Sequence, residues 1–152
     1  MPSSVSTAQI QAALDVGGVV RFNVGAAPST IVLSATLLAR KATILDGAGV
    51  VTLSGGSARR ILRINNPNPA QNAPLFRVTL QNINLTDASI SDGRGAAIYN
   101  QHGAEFPGKV SLKLVNCRFA NNNAPLDGSS QDDGGGAFYG ELLDRIERWR
   151  RL

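Results

Sequence analysis

Two adjacent carboxylates, Asp132 and Asp133, lie in a Gly/Ser-rich stretch near the C-terminus and come closest, by type and spacing, to a metal site. Calcium takes several oxygen ligands, and a loop with paired carboxylates and free carbonyls is the kind of cluster that supplies them. Asp beside Gly is also ordinary turn composition, which requires no ligand. The sole histidine, His102, sits in the polar turn Asn100-Gln-His-Gly103. It has no second titratable group in evident register, so neither general acid–base nor triad chemistry is supported. Cys117 is the only cysteine, which excludes an intrachain disulfide and a cysteine-based zinc site. Gly47-Ala-Gly49 lacks the Lys-Ser/Thr and following helix of a phosphate loop. These residues point to a non-enzymatic chain with no cofactor.

The net charge is +4 and the isoelectric point about 9.8. The cations Arg21, Arg40, Lys41, Arg59, Arg60, Arg63, Arg77, Arg94, Lys109, Lys113 and Arg118 are dispersed and mostly alternate with apolar residues, as on solvent-facing strand positions. No dense basic run with interleaved aromatics marks a nucleic-acid surface, so no nucleic-acid partner is expected. No apolar stretch approaches the roughly 20 residues of a membrane span. The first residues carry no basic and apolar leader pattern, so a cytoplasmic location is expected for the chain as written.

Low aromatic content (5%) with 16 glycines favours many turns over a few long helices. Residues 6–16 carry helix signals in order: a Ser/Thr cap, then Ile10, Ala13 and Leu14 at helical spacing, then a Gly pair as the stop. After Gly18 the period changes to two. Short strands are expected at 19–24, 30–33, 42–45, 50–53, 61–64, 76–80, 83–86, 97–99, 110–115, 117–120 and 137–139, with no helix between them.

An internal repeat runs through these strands. At an offset of 34 residues, Leu80 matches Leu114, Asn82 matches Asn116, Ile83 matches Cys117 and Leu85 matches Phe119. At an offset of 40, the segment 95–99 matches 135–139, the second copy having a loop six residues longer. A unit of a few short strands cannot bury an apolar face alone, whereas stacked units can, which is the logic of a solenoid. Cys117 then takes an inward position, where a thiol packs as a small hydrophobe. Asn65, Asn66, Asn82, Asn116 and Asn121 to Asn123 read as turn residues whose side chains bond from one coil to the next.

Gly135-Gly-Ala-Phe138, its variant Gly95-Ala-Ala-Ile98, and Phe119-Ala-Asn-Asn122 resemble the Gly-Gly-Ala-Ile and Phe-x-x-Asn repeats of bacterial polymorphic outer-membrane and related surface proteins. Residues 42–49 and 51–56 resemble the early coils of the wider pectate-lyase-like superfamily. The resemblance covers about residues 8–140 and implies a right-handed parallel β-helix with an N-terminal capping helix and an extracellular setting for the natural relatives. Superfamily enzymes that cleave acidic polysaccharides gather Asp residues for calcium and an Arg as base. The residues this would implicate are Asp87, Asp92, Asp127, Asp132 and Asp133, with Arg94 or Arg118; a glycan-binding fragment would use Asp92 and Arg94 beside Asp132 and Asp133.

Residues 141–152 form a second helical pattern. Leu142, Leu143, Ile146 and Trp149 fall on one face, and Glu141–Arg145, Asp144–Arg148 and Glu147–Arg151 are acid-to-base pairs at i,i+4. Isolated helices this short are marginal in water, so docking decides whether the segment is ordered. Three places are open to it: the last coil of its own solenoid, a second copy, or an anionic membrane surface. The expected architecture is therefore all-β: one domain, 1–152, with a capping helix at 6–16, coils over 19–140 and a second capping helix at 141–152. Its expected role is that of a scaffold, a truncated surface β-helix given an engineered cap. The alternatives are a carbohydrate-binding or polysaccharide-cleaving fragment, and a module that self-associates through a solenoid end or the tail helix.

Overall fold

The computed structural model describes residues 4–65, 76–91, 93–101, 110–125 and 135–140. One helix, α1 (Thr7–Val16), opens the chain. Ser6 caps it reciprocally: its Oγ accepts from the Gln9 backbone N–H at 3.2 Å, and Gln9 Oε1 accepts from the Ser6 N–H at 2.8 Å. Ile10 and Leu14 are buried on its inner face. Gly17, at φ 82°, ends the helix while its N–H reaches the Ala13 carbonyl at 3.0 Å.

The other described residues are in strands, turns and irregular backbone. In chain order these are β1 (Gly18–Arg21), β2 (Ser29–Val32), β3 (Leu37–Ala39), β4 (Thr43–Ser54), β5 (Leu62–Asn65), β6 (Phe76–Thr86), β7 (Ile98–Gln101), β8 (Val110–Ala120) and β9 (Phe138–Gly140). They make two sheets. One runs β1-β4-β6-β8 with β2 also on β4, the other β3-β5-β7-β9, and every pairing is parallel. From β2 onward the chain alternates between the sheets, and each strand pairs with the next strand of its own sheet. Among the described residues the protein is thus mostly β, with parallel sheets and one short helix.

Register follows the side-chain pattern. Leu80 pairs with Leu114, Ile83 with Cys117 and Leu85 with Phe119, and in the other sheet Ile98 pairs with Phe138. A slip by one residue would turn these apolar side chains outward, so burial fixes the pairing. Alternating residues from both sheets meet in one core that includes Leu33, Leu37, Leu45, Leu53, Ile64, Leu80, Leu85 and Ile98. Its composition, mostly Leu, Ile, Val and Ala, suits strands covered on one face and wetted on the other.

Burial falls off across the last strands. Val78, Leu80, Ile83 and Leu85 of β6 are each 1% exposed, whereas their β8 partners Leu112, Leu114, Cys117 and Phe119 are only half-buried. Among the described residues β8 and β9 pair on one edge only. The first layer is treated differently. Gln11 of α1 donates from Nε2 to the Leu38 carbonyl at 2.9 Å and accepts the Leu38 N–H at Oε1 at 2.8 Å, while Thr7 Oγ1 accepts the Ser34 N–H at 2.8 Å. The helix thereby satisfies strand-edge groups that would otherwise need water.

Candidate functional site

The polar groups that the fold brings together lie at the bends of the long strands. Asn82 and Asn116 both have φ 51°, a left-handed conformation that costs Asn less than most side chains. Each divides its strand into two arms. Asn116 Nδ2 donates to Asn82 Oδ1 at 3.0 Å, and Asn82 Nδ2 donates to Asp46 Oδ1 at 3.2 Å. Asp46 also receives Gln81 Nε2 at 2.9 Å and the Ala48 N–H at 2.9 Å. The Ala48 N–H first, then the Gln81 and Asn82 amides, hold the Asp46 carboxyl below its ordinary range, with the Arg21 charge assisting.

The bend in β4 is built differently. Asp46 pairs with Gln81 and Val51 with Ile83, so residues 47–50 stand opposite Asn82 alone. Only glycine fits at 47: a Cβ there would lie 2.6 Å from the Asn82 carbonyl oxygen and 2.8 Å from Ile83 Cβ.

A second polar column sits at the far end of the same strands. Asp87 (φ 53°) and Asn121 (φ 55°) are again left-handed. Asp87 Oδ1 accepts from Asn121 Nδ2 at 3.3 Å, and Oδ2 accepts from Thr86 Oγ1 at 2.8 Å. Asn122 ties its layer to the preceding one, donating to the Leu85 carbonyl at 3.0 Å and accepting the Ala88 N–H at 3.0 Å. Asn84 Nδ2 donates to Thr52 Oγ1 at 3.2 Å. Apart from the Thr86–Asp87 bond between chain neighbours, these bonds tie one strand and its bend to the next in the same sheet.

Arg94 is half-buried, and its carbonyl accepts from the Arg60 guanidinium, which also donates from Nε to the Gly95 carbonyl at 2.9 Å. Arg60 lies over the Tyr99 ring at 4.8 Å from its centroid, and Arg63, on the neighbouring strand and in register with Tyr99, at 5.8 Å. This is a cation–π cluster on the outer side of the second sheet. Sequence reasoning did not foresee it; the one signal was the recurrence of Tyr at 99 and 139 in the offset-40 match. Nor did it single out Asp46, whose place before Gly47 was a turn signal.

Of the other candidates, Cys117 faces inward as its match with Ile83 implied. Its Sγ donates to the Leu80 carbonyl at 3.3 Å, and burial raises the thiol pKa. Arg118 is exposed on β8. Asp92, His102, Asp127, Asp132 and Asp133 lie outside the described residues, as do Leu142, Leu143, Ile146 and Trp149, so the proposed convergence of Asp92, Arg94, Asp132 and Asp133 is not on view. A shallow groove of about 170 Å³ separates α1 from the end of β1, lined by Val5, Ile10, Ala13 and Phe22 among others. Among the described residues no three His, Cys, Asp or Glu side chains gather as a metal cluster, and no helix is long and apolar enough to cross a membrane. Compared with protein-family models, curated proteins and solved structures, the chain matches none of them.

Proposed function

We propose that this chain is a non-catalytic scaffold: a short right-handed parallel β-helix, of the kind found in pectate-lyase-like surface proteins, with a helical segment closing each end. The observation that carries the reading is the alternation of the chain between two parallel sheets, each strand in register with its equivalent one layer later. Parallel strands joined by crossovers within a sheet are right-handed in nearly all proteins, which supports the hand. The interlayer bonds of Asp46, Asn82 and Asn116, and of Asp87 and Asn121, support a stack whose bend residues serve cohesion. The bonds from Gln11 and Thr7 to the first-layer backbone support a capping role for α1.

A glycan-binding role is the second reading, favoured by the Arg60, Arg63 and Tyr99 cluster beside Arg94. Thermal melts with calcium and with an acidic polysaccharide separate the two. A ligand at 100 times its Kd stabilises the folded state by about 2.7 kcal/mol. At this chain length that raises Tm by roughly 5–10 °C. The scaffold reading expects unchanged melts, and a saturable rise with either additive contradicts it.

A further inference from the structure

The first layer treats its two strand edges differently. At β3 the amide of Gln11 occupies the edge N–H and carbonyl of Leu38. At β1 no such contact is made. Gly18 donates its N–H to the Ala42 carbonyl at 2.9 Å, and the alternation of a parallel ladder then turns the backbone groups of Gly18 and Val20 toward β4. The N–H and C=O of Val19 and Arg21 therefore point to the opposite edge, where β1 has no strand partner among the described residues. Native edge strands are commonly blunted by an inward charge, a proline or a covering element. Gly18-Val-Val-Arg21 carries no proline, and its inward residue is the apolar Val20.

Apolar surface gathers at the same edge. Val16, at the end of α1, is 79% exposed, Val19 is 57% exposed and its register partner Ile44 37%. Between β1 and α1 runs the groove of about 170 Å³ lined by Val5, Ile10, Ala13, Val20 and Phe22. A cavity of about 150 Å³ with apolar walls holds benzene, so the groove has room for one leucine-sized side chain. Cations stand at both ends of the strand. Arg21 closes it, and Lys41, packed against the Gly17 backbone, lies with Arg40 at its start. The nearby acids are already engaged, Asp15 by Gln11 and Asp46 by Gln81 and Asn82. Among the described residues Asp87 is the only other acid, against ten lysines and arginines. An excess of one sign repels a second copy and attracts a partner of the other sign.

We propose that the outer edge of β1 is a docking site for an extended acidic and apolar peptide of another protein, which adds to the sheet as a further strand. The backbone groups of Val19 and Arg21 supply the pairing, and one apolar side chain of the peptide enters the groove against α1. An outward apolar residue covers Val19. Carboxylates four residues apart, about 13 Å along a strand, meet Arg21 at one end and Lys41 at the other. The proposal goes beyond the scaffold reading and needs only the β1–β4 pairing and the seat of α1.

The probe is an end-blocked, dye-labelled peptide, Thr-Glu-Leu-Val-Thr-Glu-Thr, titrated with the full chain and followed by fluorescence anisotropy. Saturable binding that weakens with salt is expected. Methylating the N–H of its Val and of the next Thr blocks pairing in either strand direction, and is expected to weaken binding about tenfold or more. Val19→Pro removes the outward N–H and leaves the ladder to β4 in place, with the same expected loss. Lys41→Glu changes an exposed side chain and is expected to weaken binding about threefold or more at low salt; it decides the matter if circular dichroism shows that Val19→Pro does not fold. No saturable binding up to about 1 mM overturns the site. So does equal affinity for the methylated peptide, or unchanged binding in Lys41→Glu or in a folded Val19→Pro. A concentration-dependent dimer in sedimentation that Val19→Pro dissolves also overturns it, because a second copy then occupies the edge.

Discussion

The Asn82 bend offers a quantitative test, because one side chain there combines two separable effects. Its amide joins Asp46 on one side at 3.2 Å and Asn116 on the other at 3.0 Å, and its backbone is left-handed at φ 51°. Replacement by Gly removes both bonds but suits the backbone. For partly exposed side-chain bonds the loss is about 1 kcal/mol in total. Replacement by Ala removes the same bonds and adds the left-handed cost of roughly 1–2 kcal/mol, for a total of about 2–3 kcal/mol. In a chain of this length that lowers Tm by roughly 4–12 °C for Ala and a few degrees for Gly. Asn82→Asp is expected to be worse at pH 7 than at pH 3, since it sets a second carboxylate against Asp46. Urea denaturation of the three variants, with m-values checked for constancy, measures the differences. If Asn82→Gly loses nothing measurable the side-chain ladder is not what holds the bend, and if Asn82→Ala loses no more than Asn82→Gly the left-handed backbone carries no cost there.

Three further outcomes follow from the same geometry. Gly47→Ala should cost about 2–3 kcal/mol or more, because the obstructing atom is the backbone carbonyl of Asn82, whereas Gly49→Ala, with open space and φ 77°, should cost only about 1 kcal/mol; thermal melts that fail to separate the pair contradict the packing at the bend. Gln11→Ala leaves the Leu38 N–H and carbonyl without their side-chain partner, and should lower stability by roughly 1–3 kcal/mol with faster hydrogen exchange at Leu38; an unchanged exchange rate would show that water serves that edge equally well. The Asp46 carboxyl has a lowered folded-state pKa, so its contribution is present above the unfolded value of about 3.9 and disappears as pH falls through the folded one. The stability gap between the parent chain and Asp46→Asn should therefore narrow in acid and with added salt, and a gap independent of pH would refute the link.

Much of this architecture was legible because short-range chemistry and burial agree. A Ser/Thr cap ahead of Ile10, Ala13 and Leu14 announced the helix start and the Gly pair its end, whereas the reciprocal bond of Gln9 to Ser6 showed only in the structure. The residues matched at an offset of 34 are cross-strand partners in the β6–β8 ladder, because the same inward pattern that reveals a repeat also fixes register. Boundaries were less readable. The separate expectations at 76–80 and 83–86 are one strand, β6, since Asn82 takes a left-handed bend and the ladder resumes on its far side. The same happens at Asn116 in β8, and the bulge at 47–50 unites two expected strands as β4. β3 (Leu37–Ala39) was missed because three residues display no alternation, and its place is set by pairing to Leu62, Arg63 and Ile64. The expected strand at 19–24 ends at Arg21, where β4 reaches Asp46 and its bend.

The site was less legible than the fold for a physical reason. Asp87 carries the residue type of a metal ligand, yet its carboxylate is occupied by Thr86 and Asn121, and only the folded chain shows those donors. The Arg60–Tyr99 stack likewise joins residues far apart in sequence.

The central claim, that the layers stack as interchangeable coils, is tested most directly by adding one. Residues 76–109 span the 34-residue step between Phe76 and its register partner Val110, and a second copy of them inserted after residue 109 should enter the stack as a new layer. In a solenoid each unit contacts only its neighbours, so the lengthened chain should keep the parent's oligomeric state and unfold cooperatively, with the β signal rising in proportion and Tm equal or higher. Loss of cooperative unfolding, or a molten or aggregated product, would contradict the account.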